Sequence, residues 1–161
     1  MPVEIFYSYA HEDEALRDEL AMHLKILERR GLVESWHDRH ITEGDDWKTR
    51  VDAALQAADL VLLLVSPDFI ASDYIVGEEV TAAMQRHASG LTTVVPIIVR
   101  AVDTSPPEEH ILPFLKLQSL PTNMRPVTSW PNRDEAWTDV AKGLRQIIKT
   151  IHERKRGAPL P

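Results

Sequence analysis

The chain has 161 residues, no cysteine, and 18 Lys+Arg against 25 Asp+Glu, a formal charge of −7. This length suits one domain that buries roughly two-thirds of its unfolded-chain surface without metal or disulfide support, and the missing thiols exclude a disulfide framework, a cysteine zinc site, an iron–sulfur cluster and a cysteine nucleophile. The acidic balance argues against a general nucleic-acid or anionic-membrane binder, no apolar run approaches the roughly 20 residues of a membrane span, and the start lacks a signal peptide's basic and apolar regions, so a soluble cytoplasmic domain is expected.

Residues 3–9 (VEIFYSY) are rich in β-branched and aromatic side chains and predict a first strand, which ends in a polar loop. From 13 to 30 the residues Leu16, Leu20, Leu24 and Leu27 recur at helical spacing, with Gly31 as a stop. Residues 32–36 predict a short second strand, 38–46 (DRHITEGDD) a polar loop, and 46–58 a second helix with Val51, Ala54, Leu55 and Ala58 on one face. The run 59–66 (DLVLLLVS) is short, continuously apolar and closed by Ser-Pro, the pattern of a parallel strand buried on both faces. Ser72 can cap a third helix with Val76, Val80, Ala83 and Met84 inward, ending at Gly90.

Residues 91–99 (LTTVVPIIV) predict a further strand, in which Pro96 marks a bulge or an edge. The proline-rich stretch 100–126 predicts irregular connection, 127–130 a short fifth strand, and 134–151 a strongly amphipathic helix. The tail 154–161 is basic and proline-containing, without a core pattern, and reads as the start of a linker after a domain of residues 1–153. This alternation predicts an α/β fold, a flavodoxin-like three-layer sandwich with a five-stranded parallel sheet in the order 2-1-3-4-5. Ligands of such sheets collect beyond the carboxyl ends of the strands at the switch point between the first and third, here near Ser8-Tyr9-Ala10 and Ser66-Pro67-Asp68.

Several chemistries lack their residues. The six glycines form neither a GxGxxG nor a Walker A loop, and no GxSxG elbow is present. The acidic pocket of a receiver domain is missing, because the third strand ends in Ser66. His37-Asp38-Arg39-His40 lies where a strand runs into a loop, so its spacing has no metal-ligand meaning, and no metal is expected. On the third helix Glu78 lies about 160° from Val80, on the solvent side, whereas Glu79 lies about 60° from Val76, at the margin of the apolar stripe. Spacing alone allows Glu79 to be a surface carboxylate or to project into the crevice, where partial desolvation would modify its acidity.

The order of motifs resembles the Toll/interleukin-1 receptor (TIR) domain family in its bacterial form. Ile5-Phe6-Tyr7-Ser8-Tyr9-Ala10 with Asp13 is similar to the family's first box. Trp36 through Gly44 to Trp47 is similar to its second strand and the following BB loop, and Leu62 to Tyr74 to its third strand and exit. Val95-Pro96-Ile97-Ile98, Leu117 to Pro121 and Pro126 to Trp130 with Asp134 to Trp137 extend the likeness over residues 3 to 152.

That resemblance implies one of two functions. One is NAD⁺ glycohydrolase activity, cleaving the nicotinamide–ribose bond on self-assembly as an effector of immune or antiphage signalling. The other is a non-catalytic adaptor that recruits TIR domains through the BB loop. The bacterial pattern places the family's catalytic acid at Glu79, and the eukaryotic pattern, one residue shorter, at Glu78. Ser8, Tyr9, Tyr74, Trp47 and Asp38 are the implied substrate-binding residues, and Arg39, His40, Ile41 and Gly44 the BB-loop residues of assembly. Ile75 departs from the family, whose bacterial members often have Cys there, and Gly77-Glu78 is a weak helix-forming pair. The implied partners are NAD⁺ as substrate rather than cofactor, other TIR domains, and a sensor domain further along the native chain; nucleic acid and membrane are not among them.

Overall fold

The computed structural model describes residues 2–36, 47–104, 112–155 and 157, with the backbone alone at Trp36, Trp47 and Lys48. Four parallel strands form one sheet: β1 (Val3–Ser8), β2 (Val33–Trp36), β3 (Leu60–Val65) and β4 (Thr93–Ile98), in the order β2-β1-β3-β4. The helices are α1 (Glu14–His23), α2 (Lys25–Arg29), α3 (Trp47–Ala57), α4 (Pro67–Ala71), α5 (Thr81–Ala88) and α6 (Arg133–Lys155), with a π-helical turn over Ile75–Val80 leading into α5.

The strand sequences explain the layers. Side chains alternate between the two faces of a strand, and β1 and β3 are apolar on both. Ile5, Tyr7, Leu60, Leu62 and Leu64 pack with Leu16, Leu20, Trp137, Val140 and Leu144 from α1 and α6. Phe6, Val61, Leu63 and Val65 pack with Val51 and Leu55 of α3 and with Val80 and Ala83 on the other side. Hence Ser8, two residues after Phe6, faces the α3 and α5 layer. A three-layer α/β sandwich follows from this alternation.

Among the described residues the sheet has four strands, not the expected five. Residues 127–130 do not continue it: Val127–Ser129 is a 3₁₀ turn, and Thr128 N donates to Val99 O across 3.1 Å. The fifth position is held by a single parallel bridge between Ile97 and Leu120. Leu120 N donates to Pro96 O (3.0 Å) and Ile98 N to Leu120 O (2.8 Å). Since the nitrogen and carbonyl of a strand residue face the same side, Pro96 presents a position without a donor to the outer edge of β4, and a longer fifth strand would lose a ladder bond there. Pro96 is thus an edge proline, in register opposite Leu63.

Two helices also differ from the periodicity. The predicted helix 13–30 breaks at Leu24 into α1 and α2, although Leu20, Leu24 and Leu27 remain buried in one row. The predicted third helix opens with the wider π-helical turn, which carries Gly77 and both candidate acids.

Candidate functional site

The carboxyl ends of β1 and β3 meet at the point where the chain leaves β1 towards β2 on one side and resumes with β3 on the other, the place where open α/β sheets bind ligands. Ser8 ends β1 and is 1% exposed; its hydroxyl donates to Glu79 Oε1 across 2.8 Å. Glu79 is itself buried, at 9% exposure, whereas Glu78 faces solvent. A cleft of about 190 Å³ opens beside them, lined by Tyr9, His11, Val51, Ser72, Tyr74 and Glu79 among others.

The local sequence accounts for the placement of Glu79. Ser72 accepts a hydrogen bond from Ile75 N (3.2 Å) and so starts the helix, as expected of a capping serine. The next turn, Ile75–Val80, is π-helical, and the hydroxyl of Thr81 donates to the Val76 carbonyl within it across 3.3 Å. A π-helical turn closes hydrogen bonds one residue later than an α-helix, so it absorbs one extra residue and turns those after it back by roughly one residue step, ~100°. Ile75, Glu79 and Val80 are therefore buried together, while Gly77 and Glu78 are exposed. Glu79 leaves the margin of the apolar stripe for the inside, and Gly77, whose missing side chain meets nothing within 4 Å, is the weakest helix former in the turn.

A second polar group ties the mouth together. Asp13, 1% exposed, accepts from Arg100 Nε across 2.8 Å and from the hydroxyl of Ser66, which in turn caps α4 by accepting from Phe69 N (3.0 Å). Arg100 also pairs with Asp68. These charge-assisted bonds connect the loop after β1 with the residues following β3 and β4, and the two carboxylates hold the Arg100 guanidinium above its ordinary acidity constant. On the other side of β1, burial pushes the Tyr7 phenol up to about 12, and a contact with Ser35 offsets part of that shift.

Of the residues singled out from the sequence, the structure brings Tyr9, Tyr74 and Glu79 to one cleft, joins the buried Ser8 to Glu79 by a hydrogen bond, and leaves Glu78 outside. Trp47 opens α3, one turn before the cleft residue Val51. Asp38, Arg39, His40, Ile41 and Gly44 lie outside the described residues.

The family model of the TIR domain matches residues 5–146. The chain belongs to the TIR domain family. A curated Sinorhizobium fredii protein, y4lF, itself uncharacterized, is 47% identical over 155 residues; the match covers 96% of this chain and 46% of the relative, so the chain spans about half the relative's length. Among solved structures, the TIR domain of the Toll-related receptor TRR-2 from Hydra magnipapillata superposes with a TM-score of 0.57 at 16% identity, over 88% of this chain and 97% of that one. That likeness concerns the fold. TIR domains mediate TIR–TIR interactions, and some cleave NAD⁺. Among the described residues of this TIR domain, no helix is long and apolar enough to cross a membrane.

Two arginines escaped the sequence pattern. Arg100 sits in a proline-rich stretch with no periodicity, and only the buried acid it serves reveals it. Arg17 is 1% exposed beside the leucine stripe of α1, where a charged residue type gives no signal of burial.

Proposed function

We propose that this TIR domain is an NAD⁺ glycohydrolase that cleaves the nicotinamide–ribose bond, acting on self-assembly as an effector of immune signalling. The reading rests above all on Glu79: a buried carboxylate, oriented by the Ser8 hydroxyl, at the ligand-binding edge of a parallel sheet and inside a cleft walled by Tyr9 and Tyr74. Nicotinamide in NAD⁺ carries a positive charge, so the C1′–N bond breaks with its electron pair returning to the ring nitrogen and no general acid is required. Positive charge then develops on the ribose, and a carboxylate beside the sugar stabilises it. Water supplies the oxygen that bonds to C1′ and releases a proton.

A cleft of about 190 Å³ is smaller than the roughly 300–1,000 Å³ of most small-molecule sites. It suits the nicotinamide riboside end, leaving the adenosine end to lie outside it.

The test is nicotinamide release from NAD⁺ by the full chain, both dilute and clustered through a terminal tag. The Glu79→Gln protein is expected to lose activity and Glu78→Gln to keep it. Full turnover by a folded Glu79→Gln protein rejects the assignment. A clustered parent that self-associates but releases no nicotinamide leaves the adaptor role instead.

A further inference from the structure

Arg17, in the first turns of α1, is 1% exposed, and its guanidinium carbon lies 5.2 Å from the centroid of the Tyr9 ring and 5.9 Å from that of Tyr7. Nη2 pairs with Asp18 at 2.9 Å, while Nε is buried and makes no hydrogen bond. Burying a guanidinium with an unsatisfied N–H is unfavourable, and an apolar side chain of similar length would fill the space without that penalty. What the guanidinium does that an apolar chain does not is attract the faces of two aromatic rings. Both tyrosines are among the residues lining the cleft that holds Glu79, and Tyr9 is the one at its edge, packed against the core on the α1 side. Tyr9 lies one residue beyond the end of β1, and it is only half-buried.

We propose that Arg17 is a positioning residue for the nicotinamide riboside end of NAD⁺, acting through the ring of Tyr9. The inference rests on the reading of the cleft as an NAD⁺ site. Arg17 does not touch the substrate. Its side chain, fixed by burial and by Asp18, holds the Tyr9 ring as a preformed edge of the cleft that Glu79 also lines. With the guanidinium gone, the ring has to be ordered each time substrate enters, and that cost falls on binding rather than on bond cleavage. The role therefore predicts a change in KM, whereas a purely structural role reduces the fraction of folded enzyme and lowers apparent kcat at constant KM.

The decisive experiment is a double-mutant cycle of Arg17→Met and Tyr9→Leu, read as KM and kcat for nicotinamide release by the clustered full chain, with thermal melting as the folding control. Arg17→Met is expected to raise KM about fivefold to tenfold, with kcat changed less than about twofold, and to have no further effect on KM in the Tyr9→Leu background. Arg17→Lys, which retains a cation, is expected to raise KM by less, and it carries the same cycle if the Met protein does not melt cooperatively. An unchanged KM in a folded Arg17 variant overturns the proposal, and so does an equal rise in both backgrounds. A clustered parent that releases no nicotinamide removes the NAD⁺ reading and this inference with it; a parent that turns over while the cycle shows no coupling removes the inference alone.

Discussion

Ser8 at the end of β1 and Glu79 in the π-helical turn before α5 are 71 residues apart in sequence, and the serine hydroxyl reaches the carboxylate across 2.8 Å. The strand supplies the rigid half of the pair. Ser8 is held in register opposite Leu63, so its side chain is committed to the face on which Glu79 arrives. A hydroxyl donating to a carboxylate fixes the orientation of that carboxylate at little entropic cost, because serine has one rotatable side-chain bond to the oxygen.

Removing that hydroxyl should therefore cost activity before it costs the fold. Hydrogen bonds to charged groups contribute about 1.5–3 kcal/mol, a factor of roughly ten to a hundred. Ser8→Ala is expected to lower kcat/KM for nicotinamide release by that factor while melting close to the parent. Unaltered kinetics in Ser8→Ala would mean that Glu79 is oriented without it.

The strands and the layers were legible because their signal is local. Residues 59–66 can be little else than a buried parallel strand, and alternation alone sends Phe6 and Ser8 to one face and Tyr7 to the other. The missing fifth strand was not legible, since the β-branched residues at 127–130 give a strand pattern and the obstacle lies elsewhere, in the outward-facing nitrogen of Pro96. The register of the acid was only half legible. A constant 100° step leaves Glu79 at a margin, and the wider turn at Ile75–Val80 that moves it inward depends on packing beyond that window.

If the π-helical turn is an α turn with one residue more, deleting Gly77 should convert it to an α turn and leave Glu79 facing Ser8. The deletion is expected to retain cooperative melting and nicotinamide release within a few-fold of the parent. The same excision in regular helix, removing the exposed Gln85 of α5, rotates everything after it by ~100° and is expected to lower stability sharply. Loss of activity in a well-folded Gly77 deletion, as complete as in Glu79→Gln, would refute this account of the turn.

The Asp13–Arg100 pair makes a prediction about stability. Asp13 is 1% exposed, and truncating Arg100 to Met leaves its carboxylate buried against the Ser66 hydroxyl. Breaking a buried pair from one side typically costs about 3–5 kcal/mol, most of it the penalty of the stranded charge. Arg100 itself is a third exposed, so the lower end, about 3 kcal/mol, is expected from urea denaturation. Asp13→Asn combined with Arg100→Met should recover part of that loss. A double variant that is as unstable as the sum of the two single ones would show that the two residues do not act as a pair.

Tyr7 gives the fold an alkaline weakness. Its phenol ionises near 10 in the unfolded chain and is pushed up to about 12 when buried. Below pH 10 both states keep the proton, and the stability contribution is intact. Between about pH 10 and 12 the unfolded chain loses the proton while the folded one retains it, so the unfolded state binds fewer protons and stability falls as pH rises. Each pH unit across that window removes about 1.4 kcal/mol at most. Tyr7→Phe retains the ring beneath Arg17 and lacks the ionisable group, so between pH 8 and pH 11 its urea midpoint should fall by about 1 kcal/mol less than the parent's, in free-energy terms. Equal losses in the two proteins would place the alkaline sensitivity on groups other than Tyr7.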